Sequence, residues 1–278
     1  MNSKLSELKS RLEACDLCPH QCGVNRNAGQ TGICGVTGTP KIYQHFLHYG
    51  EEISIIPAFV VNLAGCNLRC PDCPERHRWT MPALKTGAPE YYARALIQHW
   101  EKSGFPKTIE WIGGEPSLNL PYILEVSEKL KMALPQCPKI YLNTNGYFES
   151  DLVEYMDGCF DGFVWDLKCM PSCARELVGY HHYFEVVTNN ILNGYQRWPV
   201  TNQILRHLVV PGHLECCTKE IIRWCEKEIP KMIFNLMTGF YGEDGRMLDE
   251  WECRGAEKML KLSGLENVML NGEYIRHG

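Results

Sequence analysis

The 278-residue sequence has no apolar stretch long enough to cross a membrane, which takes about 20 consecutive apolar residues. Its first residues, Met1 to Ala14 (MNSKLSELKSRLEA), are charged and helical in texture, without the apolar core of a signal peptide. Positive charge is not in excess: 28 Lys and Arg stand against 33 Asp and Glu, for a formal net charge of -5. The concentrated positive potential that grips a phosphate backbone is therefore missing. No internal repeat and no low-complexity linker divides the chain. These absences predict a soluble, cytoplasmic protein that partners neither nucleic acid nor membrane. Cysteine, by contrast, is abundant, at 15 residues. In a chain of this length without an export signal, metal ligation by thiolates is a better account than a disulfide framework. Many exposed thiols suit an anaerobic or microaerobic setting.

Three of those cysteines, Cys66, Cys70 and Cys73, stand in one short run, Gly65-Cys66-Asn67-Leu68-Arg69-Cys70-Pro71-Asp72-Cys73. Thiolates at these spacings can wrap one corner of a cubane [4Fe–4S] cluster. No fourth cysteine follows at a ferredoxin-like distance, so one iron is left for an exogenous ligand. An open iron on a reducible cluster suggests electron delivery into a bound molecule. A zinc site or coincidence are the other readings of the triad taken alone.

Short β-branched and aromatic runs alternate with helical patterns. Strands are expected at Ser54–Val61, Thr108–Ile112, Lys139–Asn143, Gly162–Asp166, Asn202–Val209, Lys231–Met237 and Asn267–Leu270. Helices are expected at Pro89–Lys102, Pro121–Leu134, Glu149–Met156, Tyr183–Trp198, Thr218–Glu228 and Leu248–Leu262. Such alternation predicts an α/β fold with a parallel sheet and right-handed crossovers. Six main units fall short of a closed eight-fold barrel, which leaves an open, partial (β/α)6 barrel over residues 42–278. Residues 1–41, rich in Cys, Gly and Asn, form a small N-terminal cysteine-rich, metal-binding module. Polar motifs fall at the carboxyl ends of successive strands: the cysteine run, Gly113-Gly114-Glu115-Pro116, Asn143-Thr144-Asn145-Gly146, Asp166-Leu167-Lys168, Pro211-Gly212-His213 and Thr238-Gly239. Barrels and open sheets assemble their sites at that end. Period-two geometry puts Asp166 and Lys168 on one side of the chain, either facing the mouth or forming a surface salt bridge. Arg206, on a central strand, needs a carboxylate partner if it is buried.

The triad spacing resembles the signature of the radical S-adenosylmethionine (SAM) superfamily, in which SAM chelates the open iron through its amino and carboxylate groups. Gly113-Gly114-Glu115-Pro116 resembles the glycine-rich SAM motif of that superfamily. Asp166-Leu167-Lys168-Cys169-Met170, Leu177-Val178-Gly179, Arg206 and Val209-Val210-Pro211-Gly212 together resemble the pyruvate formate-lyase activating enzyme family, which installs glycyl radicals in partner enzymes. The run Cys15-Asp16-Leu17-Cys18-Pro19-His20-Gln21-Cys22-Gly23-Val24, closing at Gly32-Ile33-Cys34-Gly35, is similar to an activating-enzyme-related subgroup, as is Ile109–Pro116.

The resemblance implies that Cys66, Cys70 and Cys73 ligate the cluster and that Gly113 and Gly114, beside Glu115, bind the methionyl amine. It implies that Asn143, Thr144, Asp166, Lys168 and Arg206 contact ribose, carboxylate or a nearby monovalent cation. Asp72 stands where the superfamily commonly has an aromatic residue, and either bonds adenine or caps a turn. Asn143 stands where activating enzymes usually have an acid. The implied reaction is reductive cleavage of SAM to methionine and a 5′-deoxyadenosyl radical that takes a substrate hydrogen, with an electron donor such as flavodoxin or ferredoxin. The substrate is then a partner enzyme to be activated or, alternatively, a peptide, small molecule or metallocofactor precursor. An iron–sulfur electron carrier is the non-enzymatic alternative.

Cys15, Cys18, Cys22 and Cys34 make a second constellation, C-x2-C-x3-C-x11-C. Four thiolates in a Gly-rich loop suit tetrahedral zinc or a rubredoxin-like iron, or else an auxiliary iron–sulfur cluster, free thiols or disulfides. Cys216 and Cys217, near His213, are either small buried hydrophobes or thiols able to donate a hydrogen atom or ligate metal. Cys169, Cys173 and the pair His181-His182 carry the same ambiguity.

Overall fold

The computed structural model describes residues 2–84 and 87–276. Its sheet opens with Ile42–His48 (β1), paired antiparallel to Ala58–Leu63 (β2). Parallel strands Thr108–Gly113 (β3), Lys139–Thr144 (β4), Gly162–Asp166 (β5), Gln203–Leu208 (β6), Ile233–Met237 (β7) and Val268–Leu270 (β8) follow in spatial and chain order. Glu273–Arg276 (β9) returns antiparallel on β8, so the nine-stranded sheet is open, with β1 and β9 at its two edges. An N-terminal helix, Asn2–Ser10 (α1), precedes the sheet. The crossovers carry Pro89–Ser103 (α2), Leu120–Ala133 (α3), Leu152–Met156 (α4), Ala174–Leu177 (α5), Tyr183–Arg197 (α6), Lys219–Glu228 (α7) and Glu250–Leu262 (α8). The six expected strand–helix units are present. No helix among the described residues is long and apolar enough to cross a membrane.

Period-two alternation explains why this sheet is apolar on both faces yet polar at one end. Ile109, Trp111, Ile140, Leu142, Phe163, Trp165, Leu205, Phe234 and Leu236 point outward into the large core beneath the helices. The alternate residues Tyr141, Val164, Ile204, Ile233 and Met269 make a smaller core on the concave face. Two residues further along the same strands, that face carries Asn143, Asp166, Arg206 and Asn235. The apolar floor and the polar mouth are thus one alternating pattern read at two depths.

Three departures from the expected elements have physical causes. The strand expected from Ser54 begins at Ala58, because Pro57 has no N–H to give to the ladder. The helix expected from Glu149 begins at Leu152, after two turns in which Leu152 and Val153 donate back to Glu149 and Ser150. Strands β1 and β9 were not expected, and both are antiparallel additions outside the strand–helix alternation. The cysteine-rich segment packs directly on the barrel: Leu8, Leu12, Cys15 and Leu17 join the main core.

Candidate cluster and cofactor site

The loop that follows β2 carries Cys66, Cys70 and Cys73 into a cavity of about 370 Å³ at the carboxyl end of the sheet. The same cavity is lined by Asp72 of that loop and by Gly113, Gly114, Asn143, Asp166, Lys168 and Arg206, drawn from the ends of β3 to β6. The structure therefore brings together most of the residues that the sequence singled out. A surface hollow of about 490 Å³ beside Asp151 and Arg197 contains none of them.

Cys66 and Cys70 have settings suited to ligation. The Cys66 sulfur receives the backbone N–H of Leu68 at 3.4 Å and Asn145 Nδ2 at 3.5 Å. Hydrogen bonds to cluster sulfurs are one of the means by which a protein sets reduction potential. Burial pushes the Cys66 and Cys70 thiols up, while Lys168 pulls both down. Bound metal would hold both as thiolates. Three soft donors with no fourth cysteine among the lining residues fit a cluster with one iron left open.

The two glycines are required by backbone packing. A Cβ on Gly114 would lie 1.9 Å from the Gly65 carbonyl oxygen, and one on Gly113 would lie 2.4 Å from that of Leu63. Gly114 and Glu115 donate their N–H groups to Leu63 and Gly65 at 2.7 and 2.9 Å, so the glycine turn is stitched to the start of the cysteine loop. Gly113 also holds a φ of 112°, which side-chain-bearing residues rarely adopt.

Glu115 and Thr144 take a different place from the one the resemblance implies, for neither lines the cavity. The buried Glu115 carboxylate accepts from Thr144 Oγ1 and the Asn145 N–H, both at 2.7 Å, and from the Ser117 N–H at 2.9 Å. It is an internal tie between the loops after β3 and β4. Asp72 lines the cavity but is engaged by the loop after β7, accepting from the Glu243 N–H at 3.1 Å and Arg246 Nη2 at 3.2 Å.

Lys168 donates to Asp166 at 2.9 Å, and the other Asp166 oxygen accepts from Arg206 Nε at 2.8 Å. The register of β5 on β6 sets Asp166 opposite Arg206. Burial pushes the Asp166 carboxyl up, but Arg206 and Lys168 outweigh it and hold the group well below the usual carboxylate range. Arg206 also donates to Glu51 at 2.6 Å and to Asn143 Oδ1 at 2.9 Å, and lies 3.5 Å from Glu52. The carboxylate it needed is present three times over. Asn143 passes the network on to Glu110 at 2.8 Å, and burial, reinforced by Glu52, pushes the Glu110 carboxyl up to about 8.

Glu51 and Glu52 stand outside every sequence motif, and Glu110 and Asn145 lie within motifs that assign them no role. For Glu110 a signal existed: it stands between Ile109 and Trp111, and period two aligns it with the concave face. Glu51 reaches Arg206 from a turn with φ 67°, across 155 residues of chain, and carried no such signal.

The N-terminal cysteines lie against this site. His20 meets the Asn67 carbonyl at 2.8 Å, Arg69 donates to the Ile33 carbonyl, and a Cβ on Gly65 would come 2.8 Å from the Cys34 carbonyl. Burial pushes the Cys18 thiol up to about 11 and raises that of Cys34. No three of Cys15, Cys18, Cys22 and Cys34 bring their sulfurs within 4.8 Å of one another. The Cys66, Cys70 and Cys73 sulfurs are spread in the same way. Arg26 is buried beside the tetrad, donating to the carbonyls of Leu118 and Thr37 at 2.7 and 2.9 Å and lying 3.8 Å from the Cys15 sulfur. It has no carboxylate partner among the described residues. A buried guanidinium calls for an anion, and a metal-loaded set of thiolates supplies one.

Comparison with known proteins agrees with this geometry. Residues 57–168 match the model of a 4Fe-4S single cluster domain. An uncharacterized protein of Methanocaldococcus jannaschii is 27% identical over 251 residues, covering 85% of this chain and 69% of that protein. The 7-carboxy-7-deazaguanine synthase of Hyperthermus butylicus is 34% identical over 89 residues, 31% of this chain and 33% of the synthase. A radical SAM methyltransferase from Sphaerobacter thermophilus superposes with a TM-score of 0.55 at 15% identity, covering 77% of this chain and 66% of that one. The chain thus shares the fold of that radical SAM methyltransferase, and the segment that matches the 4Fe-4S single cluster domain is the one that carries Cys66, Cys70 and Cys73.

Proposed function

We propose that this protein is a radical SAM enzyme that uses one [4Fe–4S] cluster to cleave SAM reductively and take a hydrogen atom from a substrate. The carrying observation is that Cys66, Cys70 and Cys73, without a fourth cysteine, face one cavity with Gly113, Gly114, Asp166 and Lys168. An electron carrier has no need of that cavity. Bound together, cluster and SAM supply the one-electron chemistry; the chain supplies placement. Lys168 offers an ammonium to the SAM carboxylate, and Asp166 holds that ammonium at the mouth. Gly113 and Gly114 leave bare backbone where the amine would lie. Leu68, Ile112, Met237 and Phe240 give the cavity apolar walls that exclude water.

The finer reading is glycyl-radical activation of a partner enzyme. The cavity of about 370 Å³ is at the small end of ligand sites, and in this reading cluster and SAM share it while the substrate group enters from the rim. Next to the lining residue Phe240, Tyr241 and Met247 are exposed and Trp251 lies just beyond, a surface suited to a protein partner. The local identity to a deazaguanine synthase favours a second reading, a small-molecule substrate.

Anaerobic reconstitution followed by dithionite and SAM tests the enzyme: 5′-deoxyadenosine is expected from the native chain and none from Cys66→Ala. Absence of 5′-deoxyadenosine from cluster-loaded protein overturns the reading. Lysate from cells fed α-deuterated glycine, split into protein and small-molecule fractions, separates the two substrates. Deuterium enters 5′-deoxyadenosine from the protein fraction if the activating reading holds; unlabelled 5′-deoxyadenosine whose formation only the small-molecule fraction stimulates overturns it in favour of the second.

A further inference from the structure

Outside the cavity, four soft donors converge at the rim. The ligating atoms of Cys173, His213, Cys216 and Cys217 all lie within 4.8 Å of one another, the single such group of three or more among the described residues. Cys173 ends a short turn, Pro171–Cys173, in the loop after β5; the other three belong to the loop after β6. The sulfurs of Cys173 and Cys216 are 3.4 Å apart, and the Cys216 sulfur is 3.4 Å from His213 Nδ1.

The backbone is shaped to make this convergence. Neighbouring residues in an α-helix diverge by about 100°, so adjacent cysteines do not ordinarily serve one site. Here Leu214–Thr218 forms a π-helical turn, in which the His213 carbonyl accepts from Cys217 at 2.9 Å and from Thr218 at 3.3 Å. Such turns are rare and concentrate at functional sites. His213 is also oriented from outside: its Nδ1 faces the sulfurs while its Nε2 lies 3.6 Å from the Glu176 carboxylate. A carboxylate behind a histidine is the usual outer partner of a ligating imidazole.

We propose that Cys173, His213, Cys216 and Cys217 bind one zinc ion in a tetrahedral Cys3His site, separate from the cluster cavity, that pins the β5 and β6 loops together. Three thiolates and one neutral imidazole nitrogen match the donor set and number of a closed structural zinc site, and three thiol protons leave as the ion binds. The clamp bears on the mouth because both loops line the cavity, through Leu177, four residues after Cys173, and Val210, three residues before His213. The rival for the same atoms is a Cys173–Cys216 disulfide.

The test uses the full chain purified anaerobically from zinc-supplemented medium, with metal content measured and thiols mapped by iodoacetamide and mass spectrometry. One zinc per chain is expected to survive in the Cys66→Ala/Cys70→Ala/Cys73→Ala variant and to be lost in Cys216→Ser or His213→Ala. Cys216 is exposed, so a free thiol there is open to the reagent. In native protein it is expected to label at least about tenfold more slowly, and to become fast once a chelator strips the zinc and leaves the thiols free. Where a variant fails to fold, this labelling of the native chain decides. Immediate labelling of Cys216, zinc unchanged in Cys216→Ser, or a Cys173–Cys216 disulfide in freshly isolated protein each overturns the proposal.

Discussion

Lys168 is held by Asp166 at 2.9 Å and is felt electrostatically by the Cys70 and Cys66 sulfurs. Burial pulls its pKa down, but these anions more than restore it, so the ammonium is charged at every working pH. A charge-assisted hydrogen bond to a SAM carboxylate contributes about 1.5–3 kcal/mol. Lys168→Ala should therefore weaken SAM binding by roughly 10- to 100-fold, read by anaerobic calorimetry on protein with its cluster intact. Unchanged affinity removes Lys168 from the SAM site. Gly114 makes a sharper demand, because its missing Cβ is what lets the turn after β3 lie on Gly65. Gly114→Ala must push two backbones apart, at a cost of at least about 1–3 kcal/mol, and should lower both melting temperature and bound iron. Gly239 lines the same cavity with nothing within 4 Å of a Cβ, so Gly239→Ala is the control that should leave both unchanged. Full iron in Gly114→Ala would show that the close approach is dispensable.

At the level of elements, the strand-end motifs were legible because alternation along a parallel strand is rigid. Asp166 and Lys168 share a side, and Asp166 and Arg206 fall opposite each other once β5 and β6 pair. What was not legible lay outside that alternation. Strand β1 interleaves polar residues in IYQHFLH, and Glu51 joins Arg206 only through the turn that follows it. Spacing in the N-terminal tetrad suits a single tetrahedral ion or an auxiliary cluster, and neither the tetrad nor the cluster triad brings three sulfurs within 4.8 Å of one another. Spacing along a chain gives the reach of a loop, not the separation of its side chains. We expect the tetrad to hold an auxiliary cluster, with Arg26 beside its negative charge. Reconstituted protein should then carry about eight irons, falling to about four in Cys15→Ala/Cys18→Ala with SAM cleavage measured alongside. About four irons in the native chain, with a second zinc beyond that of the Cys173 group, would assign the tetrad to a single ion instead.

The whole molecule encloses more acid than base at its mouth, and its stability should record that. Asp166, Glu51 and Glu52 lie around Arg206, with Glu110 joined through Asn143; keeping Glu110 protonated relieves the excess. Its pKa rises from 4.5 to about 8 on folding, so between those values the folded state binds more protons than the unfolded one. Stability from this group accordingly falls as pH rises through that window, by up to about 1.4 kcal/mol per pH unit. His207 acts in the opposite sense. Burial lowers its pKa from 6.5 to about 4, and its two nitrogens are satisfied in the neutral form by the Leu167 carbonyl at 2.8 Å and Thr218 Oγ1 at 3.0 Å. The unfolded chain binds that proton first, so stability from His207 rises with pH between about 4 and 6.5. Where the windows overlap, from 4.5 to 6.5, the two slopes offset each other. Above 6.5 the Glu110 slope stands without that offset. The melting temperature should therefore be nearly level from about pH 5 to 6.5 and decline toward pH 8. Glu110→Gln retains an acceptor for Asn143 and removes the titration, so it should flatten most of that decline and raise the melting temperature at pH 8. Parallel curves for the two proteins across pH 6.5–8 would mean that Glu110 folds as a carboxylate and that the mouth carries its full negative charge.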